Sequence, residues 1–213
     1  MAAHRLGKDA FRAFFAAQDH VRIGSLGPGG TSSDTVLRDL LHPIPADRWR
    51  IVLKPSFDAV YDDLLAGEID YALVPSAYTN STRFYWSSEF RLEGAFVEPT
   101  PAYHLALPDR IEHPLTIAAC DAVRHMIHAH FADHLPDDLQ ILRAESTVQS
   151  AEIVAQGRAD ACVTNEPGRA QYGLAARASV PGVDMIWSVF SLRAAASPPL
   201  AAPLAPCPTQ VAS

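Results

Sequence analysis

Lysine is nearly absent from this chain: of 17 basic residues only Lys8 and Lys54 are lysines. Schiff-base chemistry needs a desolvated amine held in a pocket. Lys8 falls in an expected mobile N-terminal tail and Lys54 at the end of an expected strand, so that chemistry is disfavoured. Cysteine is equally sparse, and Cys120, Cys162 and Cys207 are too scattered for a disulfide framework. The first two sit in apolar runs and read as small core residues. No apolar run is long enough to span a bilayer. The N-terminus mixes Arg5, Lys8, Asp9, Arg12 and Asp19 with apolar residues and offers no signal-peptide core, so a cytoplasmic protein without membrane contact is expected. A formal charge of −7 argues against nucleic acid, whose binding rests on phosphate neutralisation.

What remains is ordinary globular composition, 48% hydrophobic and 19% charged over 213 residues. A short amphipathic helix (Ala10, Phe11, Phe14, Phe15) is expected within an N-terminal extension, 1–19. The end, 194–213, is Ala/Pro-rich without helical or strand period and is expected to be disordered. Between them, strands at 21–26, 50–54, 71–75, 96–107, 115–119, 139–143, 159–164 and 183–192 alternate with helices at 31–41, 56–66, 121–132, 147–156 and 166–173. That alternation predicts an α/β fold with parallel sheet and covering helices.

A pseudo-repeat runs through it. Asp70-Tyr71-Ala72-Leu73-Val74-Pro75 follows the helix stop Gly67, and Asp160-Ala161-Cys162-Val163-Thr164 follows Gly157. Two similar lobes with a cleft between them are therefore expected: one of about 20–98 plus 181–193, the other about 99–180. The strands near 96–107 and 183–192 would be the two crossings. Ligands in such folds sit at strand C-termini and helix N-termini.

Two helix starts stand out. Leu26-Gly27-Pro28-Gly29-Gly30-Thr31-Ser32-Ser33 puts a glycine turn and three hydroxyls at a helix N-terminus, where free N–H groups and the macrodipole favour anions. Glu145-Ser146-Thr147-Val148-Gln149-Ser150 opens a second such helix. Gly30, Thr31, Ser32 and Ser33, with Ser146 and Thr147, are the expected donors to a ligand carrying more than one carboxylate or phosphate. Locally, both starts also read as plain strand–helix connections with N-caps.

Taken in order, these segments resemble the prephenate dehydratase-like family. The likeness includes Ser56-Phe57, Val74-Pro75-Ser76-Ala77-Tyr78, Phe84-Tyr85, Thr100-Pro101-Ala102-Tyr103, Thr164-Asn165-Glu166, Arg169, Tyr172-Gly173-Leu174 and Trp187-Ser188-Val189-Phe190. It is stronger to prephenate decarboxylases of the bacilysin/anticapsin type than to dehydratases, and it covers about 20–193. The resemblance implies a two-lobed, type 2 periplasmic-binding-protein-like fold and prephenate as the small-molecule partner. It also implies a place in antibiotic biosynthesis, and it is compatible with a homodimer. Dehydratases carry Glu-Asn-Ser after their Val-Pro, where this chain has Ser76-Ala77-Tyr78-Thr79. They carry Thr-Arg-Phe in the last crossing strand, where this chain has Ser188-Val189-Phe190. Their regulatory ACT domain has no counterpart here, so a stand-alone catalytic domain is expected.

Prephenate is a cyclohexadiene whose quaternary carbon bears a carboxylate and a pyruvyl arm, with a hydroxyl opposite. Loss of CO2 with loss of that hydroxyl gives aromatic phenylpyruvate. Loss of CO2 with protonation of a ring carbon keeps the hydroxyl and gives dihydro-4-hydroxyphenylpyruvate. The ring is its own electron sink, so no cofactor, neither PLP nor thiamine, is required. Tyr78, Tyr103, His104 and Glu166 lie on segments expected to face the cleft and are equal candidates for the catalytic carbon acid. The resemblance implies a catalytic role for Ser188. It adds Ser76, Thr164, Asn165, Arg169 and Phe190 to the substrate-binding set. Their local readings are simpler: Asn165 as a helix cap with Pro167 inside the first turn, Arg169 as an ion-pair member, and Tyr172-Gly173-Leu174 as a helix end.

His125, His128, His130 and His134 do not converge on a metal at helical spacing, and no metal site is expected. A stand-alone dehydratase and a non-catalytic cleft-type binding protein are the competing functions.

Overall fold

The computed structural model describes residues 5–193, with side chains from residue 7. The expectation for 194–213 lies outside the described residues. In chain order the elements are β1 (Arg5–Leu6), α1 (Lys8–Ala16), β2 (Val21–Leu26), α2 (Ser32–Leu41), β3 (Trp49–Lys54), α3 (Phe57–Leu65), β4 (Tyr71–Pro75), α4 (Thr82–Trp86) and β5 (Phe90–Pro99). There follow β6 (Tyr103–Leu107), β7 (Thr116–Cys120), α5 (Asp121–Arg124), α6 (Met126–His130), β8 (Gln140–Ala144), α7 (Thr147–Ala155), β9 (Ala161–Asn165), α8 (Glu166–Gln171), β10 (Ala175–Val180) and β11 (Asp184–Leu192). They build two sheets, ordered β1-β5-β11-β4-β2-β3 and β10-β6-β9-β7-β8.

The pseudo-repeat is structural. In each sheet a βαβ pair of parallel neighbours (β2 with β3 and β4; β7 with β8 and β9) carries the helices that face the cleft. Asp70 and Asp160 occupy equivalent places. The Asp70 carboxylate accepts the backbone N–H of Arg22 at 2.7 Å, and that of Asp160 accepts the N–H of Thr116 at 2.9 Å. Each locks the start of one strand to its parallel neighbour. Both carboxyls are held below their ordinary range, Asp160 mainly by the Leu115 N–H, and Asp70 by Arg22 against the opposing effect of burial.

The sheets are mixed rather than purely parallel. β11 runs antiparallel to both β4 and β5, and β6 runs antiparallel to β9 and β10. Only strands joined by helical crossovers within a lobe are constrained to be parallel. The expected strand 96–107 is two strands, broken at Thr100-Pro101-Ala102, because Pro101 cannot donate to a ladder. The second crossing is 181–183, outside β11. The two crossings clasp each other: Thr100 N–H donates to Val183 O at 2.9 Å, and Val183 N–H donates to Thr100 Oγ1 at 3.1 Å. A Cβ on Gly182 would lie 1.8 Å from Thr100 O, so this close approach requires glycine.

The expected helix 121–132 is broken at His125, which re-aims Met126, Ile127 and Phe131 into the core of the second sheet. β10 and the short α4 were not predicted. The N-terminal segment is also corrected. Phe11 and Phe15 are fully buried against Leu37, Leu40 and Phe96, and β1 pairs with β5, so this stretch belongs to the first lobe's core. Lys8 is not in a mobile tail: it is held between Asp39 and Glu98. Among the described residues no helix is long and apolar enough to cross a membrane.

Candidate functional site

A cavity of about 290 Å³ lies between the lobes, at the C-terminal ends of β2, β4, β7 and β8. This is at the small end of the range for small-molecule sites, which begins near ~300 Å³. The N-terminal turns of α2 and α3 line it from the first lobe and that of α7 from the second. Met185 and Trp187 form an apolar wall, with the indole Nε1–H tied to Glu98 O at 3.1 Å.

The three helix starts are not equivalent. At α2, Thr31 is the N-cap: its hydroxyl accepts the Asp34 N–H at 3.2 Å and donates to Leu26 O at 2.7 Å. Gly30 stands at φ +86° and donates its N–H to Asp34 Oδ2 at 2.9 Å. The other oxygen of Asp34 lies 2.8 Å from Arg38 Nε, out of line for a hydrogen bond. A buried internal carboxylate thus already occupies part of this anion site. Thr31 and Gly30 are therefore spent on structure, while the hydroxyls of Ser32 and Ser33, both lining the cavity, have no partner among the described residues.

At α3, Ser56 caps through its hydroxyl, accepting the Ala59 N–H at 3.2 Å, and Asp58 follows in the first turn. At α7, Ser146 caps in the same way, accepting the Gln149 N–H at 3.1 Å, but no acidic residue stands in the first turn. Thr147 lines the cavity there. The α7 start is accordingly the one of the three with no acid inside its first turn, with Glu145 lining the cavity one residue before the cap.

Tyr78 lies over Phe57, ring centroids 4.5 Å apart, with its phenol 3.4 Å from Asp58 Oδ1. Asp58 is itself paired with Arg83 at 2.7 Å. Burial, helped by the Asp58 charge, pushes the Tyr78 phenol above its ordinary pKa, so it remains a neutral proton donor. On the opposite wall Arg143 sits 3.1 Å from Asp121. Cys120 also lines the cavity, and burial pushes its thiol up to about 11, so it is no thiolate nucleophile. Among the described residues no group of three His, Cys, Asp or Glu could hold a metal.

Of the residues expected at the site, Thr31, Ser32, Ser33, Tyr78, Tyr103, Ser146 and Thr147 line this cavity; the others do not. Ser188 and Phe190 project from the face of β11 opposite Trp187, as strand alternation requires. The Ser188 hydroxyl pairs with Tyr85 OH at 2.6 Å, and Phe190 packs on Phe84 and Tyr85. His104 follows Tyr103 on β6 and points away, with Nδ1 2.8 Å from Ser179 Oγ and Nε2 3.0 Å from Glu166 Oε2. The latter contact is too misaligned for a hydrogen bond. Glu166 is clamped by Arg169 through two bonds of 2.7 Å, and Arg169 also donates to Leu174 O at 2.8 Å.

Asn165 caps α8 by accepting the Gly168 N–H at 2.9 Å and donates to Gly30 O at 2.9 Å, joining the lobes beside the cavity. Thr164 donates to Thr147 O at 2.7 Å from a fully buried position, and Ser76 Oγ meets Met185 Sδ at 3.1 Å. These residues brace the cavity's surroundings and are not among its lining side chains. Sequence reasoning missed Ser56, Asp58, Asn80, Asp121 and Arg143. The repeat carried the signal for the first: Ser56-Phe57 after β3 matches Ser146-Thr147 after β8.

Burial keeps the His104 imidazole below its ordinary pKa, with Arg169 acting in the same direction and Glu166 opposing. Folding thus favours the neutral ring, whereas the unfolded chain takes up a proton near pH ~6.5. Stability should be full above that pH and decline as the pH falls below it. A thermal midpoint that drops between pH 7 and pH 5.5, and drops less in His104→Gln, is the expected result; parallel curves would contradict it.

Comparison with solved structures places the fold. The prephenate dehydratase of Arthrobacter aurescens, solved in complex with L-Phe, aligns with TM-score 0.63 at 20% identity over 82% of this chain. This chain spans 61% of that one, less than two thirds of its length. The periplasmic VFT2 domain of Bordetella pertussis BvgS aligns with TM-score 0.53 at 15% identity, covering 90% of this chain and 87% of that domain. Two repeated α/β lobes, clasped crossings and a cleft lined by helix N-termini define a protein of the two-lobed, periplasmic-binding-protein-like class.

No family model matches the chain. Among curated proteins, the prephenate decarboxylase of Planktothrix agardhii is 31% identical over 176 residues, 79% of this chain and 86% of that protein. The prephenate decarboxylase of Bacillus subtilis strain 168 is 27% identical over 175 residues, covering 80% and 86%. A prephenate dehydratase of Mycobacterium sp. strain JLS is 29% identical over 158 residues but is covered over only 46% of its length. The chain belongs to the prephenate decarboxylase family.

Proposed function

We propose that this protein decarboxylates prephenate without aromatising it, needs no cofactor, and serves a specialised, antibiotic-type pathway in the cytoplasm. One observation carries the reading: Ser33 on the first lobe and Thr147 on the second line one cavity at two helix N-termini. A dicarboxylate can bridge them. The retained pyruvyl carboxylate belongs at α7, whose first turn has no acid. The departing carboxylate belongs at α2, where Asp34 has already taken part of the field, so the ground state is held less firmly there.

In the reaction the bond from the quaternary carbon to its carboxylate breaks and its electron pair moves through one ring alkene. A ring carbon then takes a proton from the neutral Tyr78 phenol. The ring hydroxyl stays in place. Tyr78 regains its proton from solvent, which reaches it beside the half-exposed Asp58. Met185 and Trp187 supply an apolar wall with no acid to offer the ring hydroxyl, which is therefore retained.

Incubation with prephenate and identification of the product by NMR tests this. A non-aromatic keto acid retaining the ring hydroxyl is expected. Phenylpyruvate as the main enzymatic product would make the protein a dehydratase, and binding without turnover would make it a binding protein. Ser188→Ala, tested alongside, should give the same non-aromatic product, since that hydroxyl is committed to Tyr85 outside the cavity.

A further inference from the structure

Arg143 is the cavity's one lining cation among the described residues, against three lining carboxylates, Asp58, Asp121 and Glu145. Asp58 already has Arg83. Arg143 sits next to the C-terminal residue of β8, and Asp121 directly follows β7. These strands are parallel neighbours in register, Ala119 opposite Arg143 and Cys120 opposite Ala144. Their ends open into the cavity, the usual place for a ligand in such sheets.

The pair is loose. One nitrogen lies 3.1 Å from one oxygen, and the side chains are 66% and 44% exposed. A guanidinium presents five donors in a planar fork suited to two-point capture of a carboxylate, and this contact is not aligned as a hydrogen bond with any of them. Three residues along the chain, Ser146 caps α7, so Arg143 and the α7 N-terminus flank the same corner of the cavity.

We infer that Arg143 leaves Asp121 on ligand binding and takes the substrate's 2-oxo carboxylate, so that Asp121 acts as an internal stand-in competing with the ligand. The inference deepens the reading above and rests on its assignment of the pyruvyl arm to α7. A stand-in offsets the Arg143 charge in the unliganded cavity and makes a carboxylate on the ligand the condition for displacing it. Specificity for 2-oxo acids over their neutral analogues follows.

Titration calorimetry with phenylpyruvate, a 2-oxo acid without the ring carboxylate, separates this from a structural ion pair. Arg143→Met should weaken binding at least tenfold and raise KM for prephenate to match. Arg143→Lys should recover only part of this, since a point charge cannot replace the fork. Asp121→Asn should tighten phenylpyruvate binding, because the competitor is gone. Weakened binding in both Arg143→Met and Asp121→Asn would overturn the proposal, as would unchanged binding in Arg143→Met.

The two readings fail separately. A wild-type protein that does not turn over prephenate, yet binds phenylpyruvate through Arg143, refutes the decarboxylase reading and upholds this one. Turnover of prephenate with KM indifferent to Arg143→Met does the reverse. No phenylpyruvate binding by the wild type refutes the Arg143 assignment outright.

Discussion

Tyr78→Phe is expected to lower kcat about 10²- to 10⁴-fold, the usual contribution of a positioned general acid, with KM much less affected. Four groups were candidates from sequence for the acid that protonates the ring carbon. His104 and Glu166 turn away into their own cluster with Ser179 and Arg169, which leaves Tyr78 and Tyr103 on the cavity wall. Tyr78 has the carboxylate of Asp58 beside its phenol and solvent beyond it, so its proton can be renewed after each turnover. Tyr103 sits among the apolar side chains of the second sheet's core.

The substitution preserves the ring packed against Phe57, and Asp58 keeps its Arg83 partner, so the fold should be indifferent. Because the phenol is displaced upward from its ordinary value, the acid stays protonated through neutral and mildly alkaline pH. In the wild type, kcat should fall only as the pH rises through that raised value, and Tyr78→Phe should lose this limb. Steady-state kinetics across pH on Tyr78→Phe and Tyr103→Phe decide the matter. A larger loss in the Tyr103 variant would move the acid to that residue.

The fold was legible where local chemistry decides it. β2, β4, α2, α3 and α7 stand within a residue or so of their predicted spans, because each strand is a short apolar run and each helix has an apolar period and a Ser or Thr cap at its start. The lobes were legible through Asp70 and Asp160, acids that a strand start can use only by binding the neighbouring strand. What was hidden depends on contacts distant in sequence. The direction of β11 follows from where the chain re-enters the first sheet after 181–183, and nothing within Asp184–Leu192 encodes it. The burial of α1 depends on Phe96, some 80 residues away in sequence.

The site divides in the same way. Ser33 and Thr147 could be placed because a helix start fixes its own geometry. Ser188 could not, because one strand step separates the face of Trp187 from that of Tyr85, and a motif match does not record which way a side chain points. Arg143 was passed over because a lone arginine on a strand has no local signature. Only the register of β7 against β8 brings it to Asp121.

Ser33→Ala combined with Thr147→Val should raise KM for prephenate by two to four orders of magnitude, each hydroxyl contributing about 10- to 100-fold. That range corresponds to about 1.5–3 kcal/mol for a hydrogen bond to a charged group, at 1.4 kcal/mol per tenfold. The residues stand on opposite lobes and share no partner in the cavity, so their effects should add. They should still differ in kind. In the proposed binding mode Thr147 holds the carboxylate that survives the reaction, so Thr147→Val should weaken prephenate and phenylpyruvate alike. In the same proposed mode Ser33 faces the carboxylate that departs, so Ser33→Ala should leave phenylpyruvate binding unaltered while raising KM for prephenate. Its kcat should hold or rise slightly, since the lost contact favours the ground state over a transition state in which that charge is leaving. Parallel measurement of phenylpyruvate affinity and prephenate kinetics in both single variants reads out the assignment. Phenylpyruvate binding weakened by Ser33→Ala and indifferent to Thr147→Val would mean that the two carboxylates lie the other way round in the cleft.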